Sequence, residues 1–203
     1  MNKEILEKRK INSKNMKNDI KNVNLTQKFA TNTVFGEQQI KYISWIKTLL
    51  WAHRILPNIV STIDKIVLSY ATSFSNGSHI FDDKTNGTFG QVDEIIKLED
   101  RKVSLINLKI MIETMVASLP KKYKDYVELK YYQNKKYPVV ALELDIDERT
   151  CYRWNKIVLT KLMKFCALNN WSLEFIVSQV KVEKWLIPHY NKNYKLIKKS
   201  FEA

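Results

Sequence analysis

Glycine and proline are scarce in this chain, with four of each among its 203 residues. Both residues are common in the tight turns and loops of β-rich proteins. Their scarcity argues against such a fold and favours an all-α chain with few tight turns. A hydrophobic share of 45% is enough to bury a core, so the composition also argues against global disorder.

Cysteine is almost absent, and the two present are Cys151 and Cys166. A framework of disulfides is therefore not expected, and a reducing cytosol is the natural compartment. Neither thiol has a neighbouring Cys or His at the spacing of metal ligands, so we predict no metal and no cofactor. The chain also lacks a glycine-rich phosphate loop and a recognisable catalytic dyad, so we do not expect an enzyme.

Long hydrophobic runs are missing as well. The most apolar stretch, residues 40–68, is interrupted by Lys41, Lys47, His53, Arg54, Pro57, Asp64 and Lys65. That is too much charge for a membrane span, and the first ten residues lack the apolar centre of a signal peptide. We expect a soluble protein of the cytoplasm, without a membrane partner.

Positive charge is in excess: 34 Lys and Arg face 21 Asp and Glu, for a net charge of +13. A sequence pI near 9.6 suits a polyanionic partner such as nucleic acid. The alternative is compositional, because AT-rich genomes enrich Lys, Asn and Ile.

Hydrophobic spacing divides the chain into five parts. Residues 1–36 predict a flexible basic arm, and residues 37–72 a helical N-terminal region broken near Pro57. Residues 73–91, with two Asn-Gly pairs, predict a linker. Residues 92–187 predict a helical domain, in which Ile95, Leu98, Ile106, Ile110 and Val116 share one side of its first helix. Residues 188–203 predict a basic tail after Pro188.

A helix-turn-helix is predicted at about residues 137–166, within the helical domain. Val140, Ala141 and Leu144 fall on one face of a short helix, and the corner Asp145-Ile146-Asp147 follows. Asp147 can cap a second helix, because its carboxylate can accept free N–H groups of the first turn. On that helix two faces differ in character. We expect Arg149, Tyr152, Arg153 and Lys156 outside, and Cys151, Trp154 and Val158 inside. Trp154 could also stack on bases, but its place in the motif favours the core.

Residues Leu119 to Trp171 resemble the promoter-reading region 4 of sigma-70 factors. Within that group they are most similar to phage late-transcription activators of the RinA and ArpU type. The matching features are Leu119-Pro120, Leu129-Lys130-Tyr131, Ala141, Ile146, the run from Arg149 to Arg153, Ala167-Leu168 and Trp171. Asp145 departs from the family, which usually has Gly at the corner, and Cys151 replaces a small aliphatic residue.

The resemblance implies a sequence-specific regulator of transcription in the bacterial cytoplasm or nucleoid. Its DNA-facing positions correspond to Glu148, Arg149 and Arg153, which can pair with base edges. Thr150, Tyr152, Lys156, Lys135 and Lys136 are better suited to phosphates. Double-stranded DNA is the expected partner, with RNA polymerase and a second copy of the chain as further candidates.

Two alternatives remain open at this point. A genuine sigma factor would bind core RNA polymerase and melt the promoter, which requires aromatic residues such as Trp45, Trp51 and Tyr70 upstream. A DNA-packaging protein of the small-terminase kind, or a replication protein, also uses helix-turn-helix modules. Initiation with core polymerase would identify the first, and a ring of many copies would identify the packaging protein.

Overall fold

The computed structural model describes residues 36–75 and 88–202, and all regular structure in these ranges is helical. The predicted all-α class is confirmed for this part of the chain. The chain divides into two compact units, Met1–Lys41 and Tyr42–Ala203. Of the first unit only residues 36–41 are described, and they are helical, with an ion pair between Lys41 and Glu37 at 2.9 Å. The predicted basic arm lies outside the described residues except for Gly36.

Apart from α2 and α3, which are separated by residues outside the described ranges, the helices follow one another through short connections. The first, α1, covers residues 36–52. The others are α2 (Leu56–Ser75), α3 (Thr88–Ala117), α4 (Lys121–Val127), α5 (Tyr137–Glu143), α6 (Glu148–Leu168), α7 (Leu173–Val180) and α8 (Ile187–Glu202). A π-helical turn, Glu128–Tyr132, continues α4, and a 3-10 turn, Lys184–Leu186, precedes α8.

Two sequence predictions need correction. Residues 73–75 and 88–91, predicted as parts of a linker, are helical, since α2 extends to Ser75 and α3 begins at Thr88, and the rest of the predicted linker lies outside the described residues. The predicted tail after Pro188 is instead helix α8. Pro188 is the second residue of that helix, where a missing N–H group costs little. Pro57 holds the same place in α2, so the break predicted there is confirmed.

Helix α8 packs along α1 in the second unit. Tyr190 stacks on Trp45 with ring centroids 4.3 Å apart, and Asn193 donates a hydrogen bond of 3.0 Å to the buried Thr48 hydroxyl. His189 stacks in the same way on Trp51. These contacts explain why a Lys-rich segment is helical: its aromatic side has a surface to cover.

The core of this unit is built from α1, α3, α6 and α7. Its fully buried members include Ile46, Leu49, Leu105, Ile112, Met115, Leu162 and Ile176. The side predicted for α3 was wrong in part, since Ile106 and Ile110 are exposed while Leu105, Leu108 and Met115 are buried. Helix α3 carries apolar residues on two sides, and periodicity alone does not tell which side meets the core.

A buried ion pair fastens α3 to the segment before α8. Arg101 donates two hydrogen bonds to Glu183, of 3.0 and 2.9 Å, and the indole of Trp185 donates a third of 2.6 Å. Glu183 is 3% exposed. Burial would raise the pKa of its carboxyl group, but the hydrogen bonds from Arg101 and Trp185 outweigh burial and the pKa is lowered. Glu183 is therefore held as a carboxylate.

In the described ranges, 36–75 and 88–202, none of the helices combines the length and the apolar character that crossing a bilayer requires.

Candidate nucleic-acid interface

The predicted helix-turn-helix is present, formed by α5 and α6 and the four residues between them. At the end of α5 the Ile146 N–H donates a hydrogen bond of 3.0 Å to the carbonyl of Ala141. The Asp145 N–H donates one of 3.3 Å to the carbonyl of Leu142. These two bonds make a Schellman ending, which satisfies carbonyl groups that the helix leaves free. Asp145 supplies the left-handed residue that this ending needs, with φ of 51°.

Asp145→Gly is expected to keep the fold and to leave the free energy of unfolding unchanged or raised by up to about 1 kcal/mol. Glycine adopts the left-handed conformation without the clash of a Cβ atom, although it gains more entropy on unfolding. Asp145→Val should instead lower stability by roughly 1–2 kcal/mol, because a β-branched residue is strained at positive φ. Urea denaturation checks both. Equal stability of the two variants would contradict the account of this corner.

Asp147 caps α6, as predicted. Its backbone is extended, one carboxylate oxygen accepts the N–H of Thr150 at 2.8 Å, and the other accepts the Thr150 hydroxyl at 2.6 Å. These hydrogen bonds, with that from the hydroxyl foremost, lower the pKa of Asp147. The cap therefore holds the first turn of α6, where the candidate base-reading residues lie.

Asp147→Ala is expected to lower the thermal midpoint by about 2–4 °C, because free N–H groups of α6 lose their acceptor. Since the folded-state pKa is lowered, the benefit of the cap is present at neutral pH and is lost as the pH falls below the ordinary value of 3.8. Thermal melts at neutral and acid pH check this. The control is Asp125→Ala, which removes only a surface pair with Lys121. A shift as large in the control would contradict the capping role.

Two guanidinium groups project from the first turns of α6. Arg149 and Arg153 are both exposed, and with Asp147 and Tyr152 they line an open depression of about 550 Å³. Arg153 donates a hydrogen bond of 2.8 Å to the Thr150 hydroxyl, which itself donates to Asp147. The cap and the outer face of α6 are therefore linked, and Arg153 is held in one direction before any ligand arrives.

Tyr152 and Glu148 are in contact with each other on the outer face of α6. The Tyr152 hydroxyl lies 3.4 Å from a carboxylate oxygen of Glu148, and the Tyr152 ring lies 4.2 Å from that of Tyr137. The Lys130 ammonium stands 4.0 Å above the ring of Tyr137. This stack joins the start of α5 to α6 and limits the angle between the two helices.

The lysines of the site differ in their surroundings. The Lys135 ammonium, which was expected to contact phosphate, is bound to Glu143 at 2.6 Å and braces the corner before α5. Lys136 and Lys156 are exposed, and neither has an ion-pair partner among residues 36–75 and 88–202. Sequence spacing missed the bond between Lys135 and Glu143 because the two residues lie at opposite ends of α5, eight positions apart.

The inner side of α6 rests on α3 and α4. Cys151 and Val158 are fully buried, as predicted, and Trp154 packs edge-on against Tyr123 with ring centroids 5.4 Å apart. Trp154 therefore supports the helix, as its motif position indicated. Tyr131 adds a hydrogen bond of 2.7 Å to Asn155. These contacts leave the outer face of α6 to solvent.

The same side of α6 holds the second cysteine, Cys166. Its side chain is buried, and burial raises the pKa of its thiol to about 11. At neutral pH this thiol is protonated and unreactive. In the part of the chain that the structure describes, no three Cys, His, Asp or Glu residues are grouped as a metal site.

A family model described as a protein of unknown function, DUF722, matches residues 81–164. The match covers less than half of the chain, and it takes in α3 to α5 and most of α6. Comparison with curated proteins and with solved structures finds no match.

Proposed function

We propose that this protein binds double-stranded DNA with sequence specificity through α5 and α6, and that it regulates transcription. The observation that carries the proposal is the pair Arg149 and Arg153, exposed at the N-terminal end of the second helix of a helix-turn-helix. In such motifs this helix enters the major groove and its first residues contact base edges. The guanidinium fork can pair with O6 and N7 of guanine.

Two further features support the proposal. The net charge of +13 favours a polyanion. The fold beneath α6 orients it through Trp154 and Cys151, so that its outer residues are presented together.

Selection of bound duplexes from a randomised library tests this proposal. We expect enrichment of one short motif and a steep fall in affinity as salt is raised, because bound lysines and arginines displace counterions. Lys121→Ala serves as a control for loss of a surface charge away from α6. Binding without enrichment of any sequence, or the absence of binding at low salt, would refute the proposal.

Transcription assays then distinguish the kinds of regulator. An activator, which the resemblance of residues 119–171 favours, stimulates RNA polymerase that already carries a sigma factor. A sigma factor initiates with core polymerase alone. If core polymerase initiates when only this protein is added, the protein is a sigma factor and not an activator. The proposal that it binds DNA would still stand.

Lys156 offers a separate test of the phosphate-contacting part of the surface. Lys156→Ala is expected to weaken binding about equally to target and unrelated duplexes and to reduce the slope of affinity against salt by about 1. The reason is that a lysine at this place contacts the backbone, which is the same in every sequence. Filter binding at several salt concentrations measures both. A loss confined to the target duplex would assign Lys156 to base reading instead.

A further inference from the structure

A row of exposed apolar side chains runs along α3. Its members are Val92, Ile96, Val103, Ile106 and Ile110, each between 38% and 53% exposed. They follow one another at intervals of four, seven, three and four residues. This is the spacing of the a and d positions of a heptad, with Ile96, Val103 and Ile110 at a. The row is about 27 Å long at the rise of an α-helix.

The other sides of α3 pack against the core and against α2. Leu105, Leu108, Ile112 and Met115 are buried in the core of the second unit. Helix α2 packs on α3, and Asp64 of α2 binds Lys102 at 2.6 Å. A helix with apolar residues on all sides is normally buried on all sides. Neither the core nor α2 covers the exposed row.

We infer that this row is a dimerisation surface, against which the same row of a second copy packs in parallel. Self-association through one helix gives a closed two-fold interface, in which each residue of the row meets its own counterpart. β-Branched residues at a, as at Ile96, Val103 and Ile110, are half of the pattern of two-stranded parallel coiled coils, which usually have Leu at d where this chain has Val92, Glu99 and Ile106. The inference does not depend on the proposed DNA binding.

Charges beside the row support a second copy as the occupant. Asp93 and Asp100 flank it on one edge, and Lys102 and Lys109 flank it on the other. In a parallel pair the basic edge of one helix faces the acidic edge of its partner, with Lys102 and Asp100 closest in level, while Lys102 and Lys109 also pair with Asp64 and Glu113 of their own chain. An antiparallel pair would place edges of like charge together.

Two glutamates occupy d positions of this register, Glu99 within the row and Glu113 just beyond it, and both are compensated within the chain. Glu99 lies 3.4 Å from the Lys102 ammonium. Glu113 lies 3.1 Å from His53 and 3.6 Å from Lys109. These contacts reduce the repulsion that two such carboxylates would produce when they face their counterparts.

Sedimentation equilibrium of the full chain tests the inference. We expect the protein to be a dimer, and Val103→Glu with Ile110→Glu to raise the dissociation constant at least about tenfold by burying charge at the centre of the row. The control is Leu168→Glu, an equally drastic change at a residue that is 84% exposed at the end of α6. Circular dichroism would show that each variant remains helical, and Ile110→Ser is the milder substitute if the double variant unfolds.

Cross-linking tests the direction of the pair. Ile96→Cys is expected to form a covalent dimer under mild oxidation, because residue 96 faces residue 96 of the other copy, while Cys151 and Cys166 are buried. A monomeric wild-type chain, a double variant that stays dimeric, or a control that dissociates equally would overturn the inference. Absence of the cross-link would overturn the parallel arrangement. A monomer that still selects a DNA motif would refute the dimer alone and leave the proposed function standing.

Discussion

Arg153→Ala is expected to weaken binding to the selected duplex by roughly 1–3 kcal/mol, a loss of about five- to 150-fold in affinity. The physical reason is the loss of a bidentate pair with a base, for which the guanidinium is already aligned by its 2.8 Å bond to Thr150. Affinity for unrelated duplexes should fall much less, because that affinity depends mainly on phosphate contacts. Electrophoretic mobility shifts with target and unrelated DNA measure both losses.

Arg153→Lys is the matched variant, since it keeps the charge and removes the planar fork. We expect it to lose most of the specific affinity and to keep the salt dependence of the wild type. Lys181→Ala, an exposed lysine outside the helix-turn-helix, controls for the loss of one positive charge. Unchanged specific binding in both Arg153 variants would remove Arg153 from the base-reading set and shift the role to Arg149.

Arg101→Ala is expected to lower the free energy of unfolding by about 2–4 kcal/mol, because it leaves the buried carboxylate of Glu183 without its cation. The lower end of this range allows for Arg101 itself, whose side chain is 39% exposed and partly screened by water. Glu183→Gln should lower the free energy of unfolding by less, because the Arg101 guanidinium can be hydrated and the Gln amide oxygen can still accept a hydrogen bond from Trp185. Denaturant titration at neutral pH measures both values.

The pH dependence of this pair has a definite sign. The pKa of Glu183 is lowered in the folded state, so its contribution is present above the ordinary value of 4.5 and is lost as the pH falls below it. The difference in stability between wild type and Arg101→Ala should therefore shrink in acid. Lys97→Ala removes an exposed pair with Asp93 on the same helix and should leave the midpoint unchanged. A constant difference from neutral to acid pH would contradict the role of the ion pair.

The helix-turn-helix was predictable because its signals are local. Asp147 and Asp145 sit at the ends of the two helices, and each acts on backbone groups within a few residues of itself. The end of α6 is of the same kind: Asn170 takes a left-handed conformation, with φ of 56°, immediately after the helix. Such signals depend on short stretches of chain, so the residue types at the helix ends were enough to reveal them.

The linkage between the cap and Arg153 was not predictable in the same way. Thr150 was expected to contact phosphate, but its hydroxyl donates to Asp147 and accepts from Arg153. Lys135 was also expected to contact phosphate, and in the structure it binds Glu143. In both cases the partner depends on where a turn of helix places the side chain, which residue type alone does not specify.

The amino-acid order was sufficient for the helical class, for the start of α6 and for the inner and outer faces of that helix, because local caps and 3.6-residue periodicity specify each of them. Packing was needed to show that residues 187–202 form a helix, that Glu183 is buried against Arg101, and which side of α3 meets the core. These features depend on residues far apart in the chain. An apolar pattern indicates that one face of a helix is buried, and only the arrangement of the other helices shows which residues bury it.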